Sequence, residues 1–70
     1  MKRDHVDSSN LASIGYDPSN QILEIEFNHG GIYQYSDVPL EVYNEIMEAD
    51  SHGKYFAKNI KNNYEFKRMN

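Results

Sequence analysis

One segment of the chain alternates apolar and acidic side chains with a strict period of two, and this pattern narrows the possible folds. Leu23, Ile25 and Phe27 would lie on one side of a strand, and Glu24 and Glu26 would lie on the other. Such alternation is typical of a strand with one buried face and one face in water. The sequence therefore predicts a sheet that is covered on one side only.

Two further strands are predicted around this segment. The first spans residues 11–16 and places Ala12, Ile14 and Tyr16 on one side, and the other spans residues 32–36. Short segments rich in turn-forming residues connect the strands: Asp17-Pro18-Ser19-Asn20 and His29-Gly30-Gly31. Three strands joined by two short turns form an antiparallel meander.

Apolar side chains recur at helical spacing after Pro39, a residue that fits the first turn of a helix. The spacing predicts a first helix over residues 40–49, and Ser51 is predicted to cap a second helix over residues 52–59. Gly53 in the first turn of that helix costs about 1 kcal/mol relative to alanine, which indicates close backbone packing or contact with a ligand. We therefore expect the fold class α+β: a three-stranded antiparallel meander followed by two short helices packed on one face of the sheet.

Length and composition limit the chain to one small domain. The 70 residues carry 11 acidic and 7 basic side chains, a formal net charge of −4, and no cysteine. We expect a flexible leader over residues 1–7, a single domain over residues 8–66 and a short tail over residues 67–70. No apolar run approaches the roughly 20 residues of a membrane helix, and no secretory signal is visible, so we expect a cytoplasmic protein with no membrane partner.

The residue types argue against an enzyme, a cofactor or a metal ion. Without cysteine there is neither a disulfide nor a thiolate metal site, and His5, His29 and His52 lack the spacing of metal ligands. Catalysis would need a nucleophile and a base together in a cleft, and the scattered Asp, Glu, His and Lys residues give no such pattern. A domain of this size is also too small to enclose a large cofactor.

Charge is distributed unevenly along the chain. Residues 54–70 hold five cations and one anion, a net of +4, whereas residues 1–53 hold two cations and ten anions, a net of −8. Because aromatic residues lie between these cations, the segment has the composition of a surface for single-stranded RNA, in which lysines neutralise phosphates and rings stack on bases. The candidate residues are Lys54, Tyr55, Lys58, Lys61 and Tyr64. The alternative interpretation is that the lysines only line a solvated helix face, while Phe56 and Ile60 belong to the core.

Two further motifs each allow a functional and a structural interpretation. Tyr33 and Tyr35 share one face of a strand, so they either stack on bases or pack beneath the helices with their hydroxyls at the rim. The segment Ser51-His52-Gly53-Lys54 either binds a phosphate at the start of a helix or uses Gly53 for close packing. The residues alone leave both pairs of alternatives open.

The order and spacing of several segments resemble the KTSC domain, a short family named for its occurrence at the C-terminus of some lysyl-tRNA synthetases. The matching segments span about residues 8–66: Ser8-Ser9-Asn10-Leu11-Ala12-Ser13-Ile14-Gly15-Tyr16-Asp17, Leu23-Glu24-Ile25-Glu26-Phe27, the Tyr-x-Tyr pair Tyr33 and Tyr35, Val38-Pro39-Leu40-Glu41-Val42-Tyr43, and Ser51-His52-Gly53-Lys54-Tyr55-Phe56. RNA binding has been suggested for the family from its association with the synthetase, so the resemblance implies RNA as a partner. One difference is that residues 58–63 carry lysine and asparagine where we expect arginine in RNA-binding members.

We therefore expect a small non-enzymatic binding module, with RNA bound through the basic C-terminal helix and tail. The alternative function is a protein interaction or self-association module. In that case the outer face of the sheet would offer Ile22 and Ile32 among Glu24, Glu26 and Gln34. The partner would be another protein, or a second copy of the chain that pairs with a sheet edge.

Overall fold

The computed structural model describes residues 1–70 and has an α+β fold, as predicted. Five antiparallel strands form one sheet in the order β1-β2-β3-β4-β5, and two helices lie between the fourth and fifth strands in the sequence. The elements are β1 (Asp4–His5), β2 (Leu11–Asp17), β3 (Ile22–Phe27), β4 (Ile32–Tyr35), α1 (Leu40–Glu48), α2 (His52–Asn59) and β5 (Phe66–Arg68). Neither helix is long and apolar enough to cross a membrane.

The core lies between the sheet and the two helices. Strand pairing places Ile14 opposite Ile25, and Leu23 opposite Tyr35, so the apolar side chains of the central strands share one face. The buried side chains of the helices that complete this core are Ile46, Phe56 and Ile60. The alternation of side chains in β3 therefore predicts the covered face correctly.

The sheet has five strands rather than the expected three, because both ends of the chain add a strand. Asp4 and His5 pair with β2, and the next residue, Val6, is buried in the core. At the other edge β5 pairs with β4, and the Met69 N–H donates to the Ile32 carbonyl at 2.7 Å. Without these two strands, β2 and β4 would each expose a row of unpaired N–H and C=O groups. The segments expected to be a leader and a tail thus contribute backbone partners to the sheet.

A β-bulge in β2 changes which residue enters the core at the start of that strand. Leu11 lies opposite Phe27 and Ser13 lies opposite Glu26, so one extra residue is accommodated between them. As a result Leu11 is fully buried, whereas Ala12, which we expected on the same side as Ile14 and Tyr16, is half-buried. A strict period of two cannot predict this shift.

Local hydrogen bonds fix the predicted turn and helix start. In the β2–β3 turn, the Asp17 carboxylate accepts from the backbone N–H groups of Ser19 and Asn20 at 3.0 and 3.4 Å. The Ser51 hydroxyl accepts from the Lys54 N–H at 3.2 Å, so the predicted N-cap of α2 is confirmed.

Candidate functional site

An aromatic cleft lies between the second helix and the strands β3, β4 and β5, all of which contribute lining residues. Its volume is about 540 Å³. We define the aromatic cleft by the residues that line it: Asn10, Phe27, His29, Tyr33, Tyr35, Phe56, Lys61, Asn62 and Phe66. Five of the nine are phenylalanine or tyrosine rings, and they come from three strands and one helix.

The floor of the cleft is rigid because its rings contact one another edge to face. Phe56 of α2 is 5 % exposed, and its ring lies 5.3 Å from Phe27 and 5.5 Å from Tyr35 between centroids. The interplanar angles are 71° and 74°, the arrangement that aromatic quadrupoles favour. These contacts tie the helix to the sheet beneath the cleft.

The outer wall of the cleft is formed by the short strand β5. Phe66 lies opposite Tyr35 in the strand pairing, so both rings stand on the helix-facing side of the sheet. Phe66 is nevertheless 58 % exposed, although its ring lies 5.6 Å from Tyr33 and 5.7 Å from Tyr35 between centroids. Arg68, two residues further, places its guanidinium 5.8 Å from the centre of the Tyr33 ring.

The β3–β4 turn brings His29 to the rim of the cleft. Its imidazole stacks on Phe27 with an interplanar angle of 4° and a centroid distance of 5.5 Å. The Gly31 N–H donates to His29 Nδ1 at 3.2 Å, which holds the ring in this orientation. Gly30 has a φ of +101°, a conformation that favours glycine and allows the turn.

The charge of the cleft differs from that of the protein as a whole. The chain carries 11 acidic side chains, yet none of them lines the cleft. Lys61 is one of the lining residues, and Arg68 lies against Tyr33 at the edge. The cleft is therefore an aromatic surface bordered by cations in a protein of net charge −4.

Tyr33 and Tyr35 both point toward the helices, but they differ in burial. Tyr35 is buried in the core, whereas Tyr33 is half-buried and its ring remains part of the cleft wall. Burial raises the pKa of Tyr35 to about 12, with the nearby Tyr33 acting in the same direction, so this hydroxyl is neutral under ordinary conditions.

The five predicted RNA-contacting residues do not lie together. Lys61 lines the aromatic cleft, and Lys54 and Lys58 are exposed one turn apart on α2. Tyr55 is half-buried and donates its hydroxyl to Glu45 of α1 at 2.6 Å, while Tyr64 packs against the core. Burial raises the pKa of Tyr55 to about 12, and the bond to Glu45 adds to this effect. Tyr55 thus joins the two helices, and the three lysines remain accessible.

Several cleft residues are absent from the set of predicted site residues. Phe66 and Arg68 belong to a strand of three residues, which is too short to show a pattern, and the sequence indicates only a turn at His29. The alternation in β3 assigns Phe27 to the core. No local signal in the sequence identifies Phe66, because charged neighbours on both sides are also found for Ile25, which is buried.

The residues at the start of α2 contact other parts of the protein. A Cβ on Gly53 would lie 2.3 Å from Oδ1 of Asn10, so glycine at this position allows the Asn10 side chain to approach the first turn of α2 closely. The Lys54 N–H is already bound by Ser51, and His52 Nδ1 lies 2.7 Å from the Ile46 carbonyl at the end of α1. These contacts support the structural interpretation of the segment.

The outer face of the sheet is partly covered by the N-terminal segment. Arg3 contacts Glu24, and it also donates through Nε to Ser13 at 2.9 Å. As a result Glu24 is 7 % exposed, so the expectation that this carboxylate lies in water is wrong. The two isoleucines expected on this face, Ile22 and Ile32, are half-buried. No group of three or more His, Asp or Glu side chains lies close enough together to hold a metal ion.

The fold and the cleft define a small α+β domain with an aromatic, cation-bordered groove on the helix-facing side of its sheet. The family model of the KTSC domain matches residues 7–64, and the chain belongs to this family. The crystal structure of a KTSC domain protein from Yersinia pestis superposes with a TM-score of 0.96 at 40% sequence identity, covering 99% of this chain and 97% of that one.

Sequence relatives include proteins of two sizes. An uncharacterised protein of Stutzerimonas stutzeri is 51% identical over 61 residues, which cover 87% of this chain and 86% of the relative. A lysine–tRNA ligase of Nostoc is 38% identical over 63 residues, which cover 90% of this chain but 11% of the ligase. The domain therefore occurs both in small proteins and as a minor part of a much longer enzyme.

Proposed function

We propose that this chain is a non-enzymatic module that binds single-stranded RNA, with an unpaired base in the aromatic cleft and phosphates on Lys61 and the two lysines of α2. The observation that carries the proposal is the combination of an open aromatic surface, bordering cations and no lining carboxylate. Aromatic rings beside a cationic track are the usual means by which proteins bind single strands.

The placement of the cations supports a polyanionic ligand. Lys61 lies in the cleft, and Lys58 and Lys54 continue away from it along the exposed side of α2. A backbone that leaves the cleft along α2 would thus meet successive ammonium groups. The acidic remainder of the chain repels a polyanion elsewhere, which confines binding to this side.

The same charges argue against a cationic ligand. An aromatic cage can also hold a quaternary ammonium or a methylated lysine through cation–π contacts. Here Lys61 and the guanidinium of Arg68 stand at the cleft, and no carboxylate offsets them. A second cation would be repelled, whereas a base that carries a phosphate would be attracted.

The relatives add a further reason to propose RNA. A lysine–tRNA ligase has a tRNA as one of its substrates, as its name states, and the domain forms a small part of that enzyme. A module that contacts a single-stranded region of RNA would serve such an enzyme. We extend this reasoning to the present chain as part of the proposal.

Fluorescence anisotropy with a labelled 12-nucleotide single strand at 50 and 200 mM salt tests the proposal. For three lysine–phosphate contacts, a plot of the logarithm of the affinity against the logarithm of the salt concentration should have a slope of about −2. This slope corresponds to about a 20-fold loss of affinity between the two salt concentrations. Replacing any one of Lys54, Lys58 and Lys61 by alanine should reduce the slope by about 0.7.

Lys67→Ala is the matched control for this experiment. Lys67 pairs with Gln34 in the sheet and alternates with Phe66 and Arg68, so it stands on the outer face. Lys67→Ala removes one positive charge, as the other variants do, but leaves the helix-facing side of the sheet unaltered. We therefore expect the salt dependence of the affinity to stay unchanged. An absence of salt-dependent binding at 50 mM, or an equal effect of Lys67→Ala, would contradict the proposal.

A further inference from the structure

We propose that the aromatic cleft selects a purine over a pyrimidine, because the base stacks on the imidazole of His29. This inference rests on the proposed function and specifies its ligand. It assigns His29 to direct contact with the base, and it assigns Gly31 as the residue that positions His29.

The parallel stack of His29 on Phe27 is the main observation. The two ring planes are nearly parallel, with an interplanar angle of 4°. Every other aromatic contact among the rings of the cleft is tilted or edge-on. His29 is exposed, so a ligand can reach its imidazole. A base placed there would extend an existing stack rather than create one.

Gly31 makes this position of His29 possible. A Cβ on Gly31 would lie 2.6 Å from Cε1 of His29 and 3.0 Å from Cε1 of Tyr33. Any other residue would therefore displace the imidazole, since that ring is the movable neighbour. The Gly31 N–H also donates to His29 Nδ1 at 3.2 Å, so one residue provides both the space and the anchor.

The size and chemistry of the cleft favour the larger base. Its volume of about 540 Å³ lies within the range of sites that enclose small organic ligands. Base preferences of single-strand sites come mainly from stacking strength. A fused purine overlaps more of the imidazole than a pyrimidine does. Lys61 and Arg68 then remain at the border for the phosphate that accompanies the base.

The test compares the affinities of three octaribonucleotides: oligouridine, oligouridine with one central adenosine, and oligouridine with one central cytidine. We expect the single adenosine to raise the affinity about fivefold to tenfold and the cytidine to leave it unchanged. With 2-aminopurine in place of adenine, the fluorescence should be quenched on binding because the base becomes stacked.

Variants of two histidines, His29 and His5, test whether the adenosine preference depends on His29. His29→Ala should bring the affinities for the three oligonucleotides to the same value, and His29→Phe should restore the adenosine preference because it restores a ring. His5→Ala is the matched control, since His5 is also exposed but lies in β1 at the opposite edge of the sheet. Gly31→Ala should lower the preference to the same extent as His29→Ala.

The outcomes separate this inference from the proposed function. Salt-dependent binding with equal affinities for the three oligonucleotides would overturn the purine preference and leave RNA binding intact. A preference that survives in His29→Ala would overturn the role of His29. Failure of all three oligonucleotides to bind would overturn both proposals.

Discussion

The guanidinium of Arg3 binds the carboxylate of Glu24 on the outer face of the sheet, where the Glu24 side chain is only 9 % exposed. Gln34 of the neighbouring strand donates to the other oxygen of the same carboxylate at 2.8 Å. Ser13 accepts from Arg3 and donates to Glu26 at 2.9 Å, so the network spans three strands. Arg3, a residue near the N-terminus, therefore compensates the nearly buried negative charge of Glu24 at the centre of the sheet.

Removing this guanidinium should destabilise the fold. Arg3→Ala leaves the Glu24 carboxylate nearly buried with Gln34 as its remaining partner, and we expect a loss of about 1–3 kcal/mol in the free energy of unfolding. Urea unfolding at neutral pH measures it. Lys2→Ala is the control, because Lys2 is exposed and its replacement should change the stability by less than about 0.5 kcal/mol. Equal effects of the two substitutions would contradict the assignment.

The same network should make the protein sensitive to acid. Burial raises the pKa of Glu24, but the hydrogen bonds from Gln34 and Arg3 more than offset this, so its pKa lies below the ordinary value of 4.5. Since the unfolded chain then takes up the proton more readily, the stabilisation is present above about pH 4.5 and is lost as the pH falls through the folded-state pKa. A hydrogen bond from Asn20 lowers the pKa of Asp17 and acts in the same sense.

Urea unfolding as a function of pH separates these contributions. Glu24→Gln should reduce the acid-side slope of the unfolding free energy, because the residue no longer titrates. If Glu24→Gln retained the full acid-side slope, the lowered pKa of Glu24 would be wrong.

The parts of the fold that were predictable have repeating local patterns. Alternation in Leu23, Ile25 and Phe27 identifies the buried face of the sheet, and the spacing after Pro39 identifies α1. The Ser51 cap was predictable because its hydrogen bond joins residues three positions apart. Each of these features depends only on residues that are close together in the sequence, within one strand or a few helical turns.

The remaining parts depend on contacts between residues that are distant in sequence. Strands β1 and β5 have two and three residues, too few to show a period, and they are recognised only by the strands they pair with. The burial of Glu24 depends on Arg3, 21 residues away, and the outer wall of the cleft depends on the pairing of Phe66 with Tyr35. Local side-chain patterns contain none of this information.

Gly15 provides a test of how closely the N-terminal segment packs on the sheet. A Cβ on Gly15 would lie 2.5 Å from the backbone carbonyl oxygen of Lys2 and 3.0 Å from Cγ of Arg3. Because a backbone atom cannot move aside like a side-chain end, Gly15→Ala should displace this segment and cost about 1–3 kcal/mol. Loss of hydrogen-exchange protection at the Val6 amide, which donates to Ala12 at 3.0 Å, would report the displacement.

A truncated background is the control for this substitution. In a chain that begins at Asp4, the atoms that oppose the new methyl group are gone, so Gly15→Ala should cost clearly less than in the full chain. An equal cost in both backgrounds would show that the close approach of Lys2 and Arg3 is not the cause.

The N-cap of α2 should contribute measurably to stability. Ser51→Ala removes the acceptor for the Lys54 N–H, and we expect a loss of about 1 kcal/mol in the free energy of unfolding. Ser51→Asp, which supplies another acceptor, should recover most of it. Ser19→Ala, at an exposed position in the β2–β3 turn, is the control and should have little effect. A Ser51→Ala variant as stable as the parent chain would contradict the capping role.

Buried tyrosines should limit the stability of the protein at alkaline pH. Burial raises the pKa of Tyr35 to about 12, above the ordinary value of 10.0, and burial with the Glu45 contact does the same for Tyr55. Because the folded state disfavours loss of these protons, the stabilisation is complete below about pH 10 and is lost as the pH rises through about 12.

Tyr35→Phe should therefore reduce the alkaline slope of the unfolding free energy, measured by urea unfolding between neutral pH and pH 11. A Tyr35→Phe variant with the parent's alkaline slope would contradict the raised pKa of Tyr35.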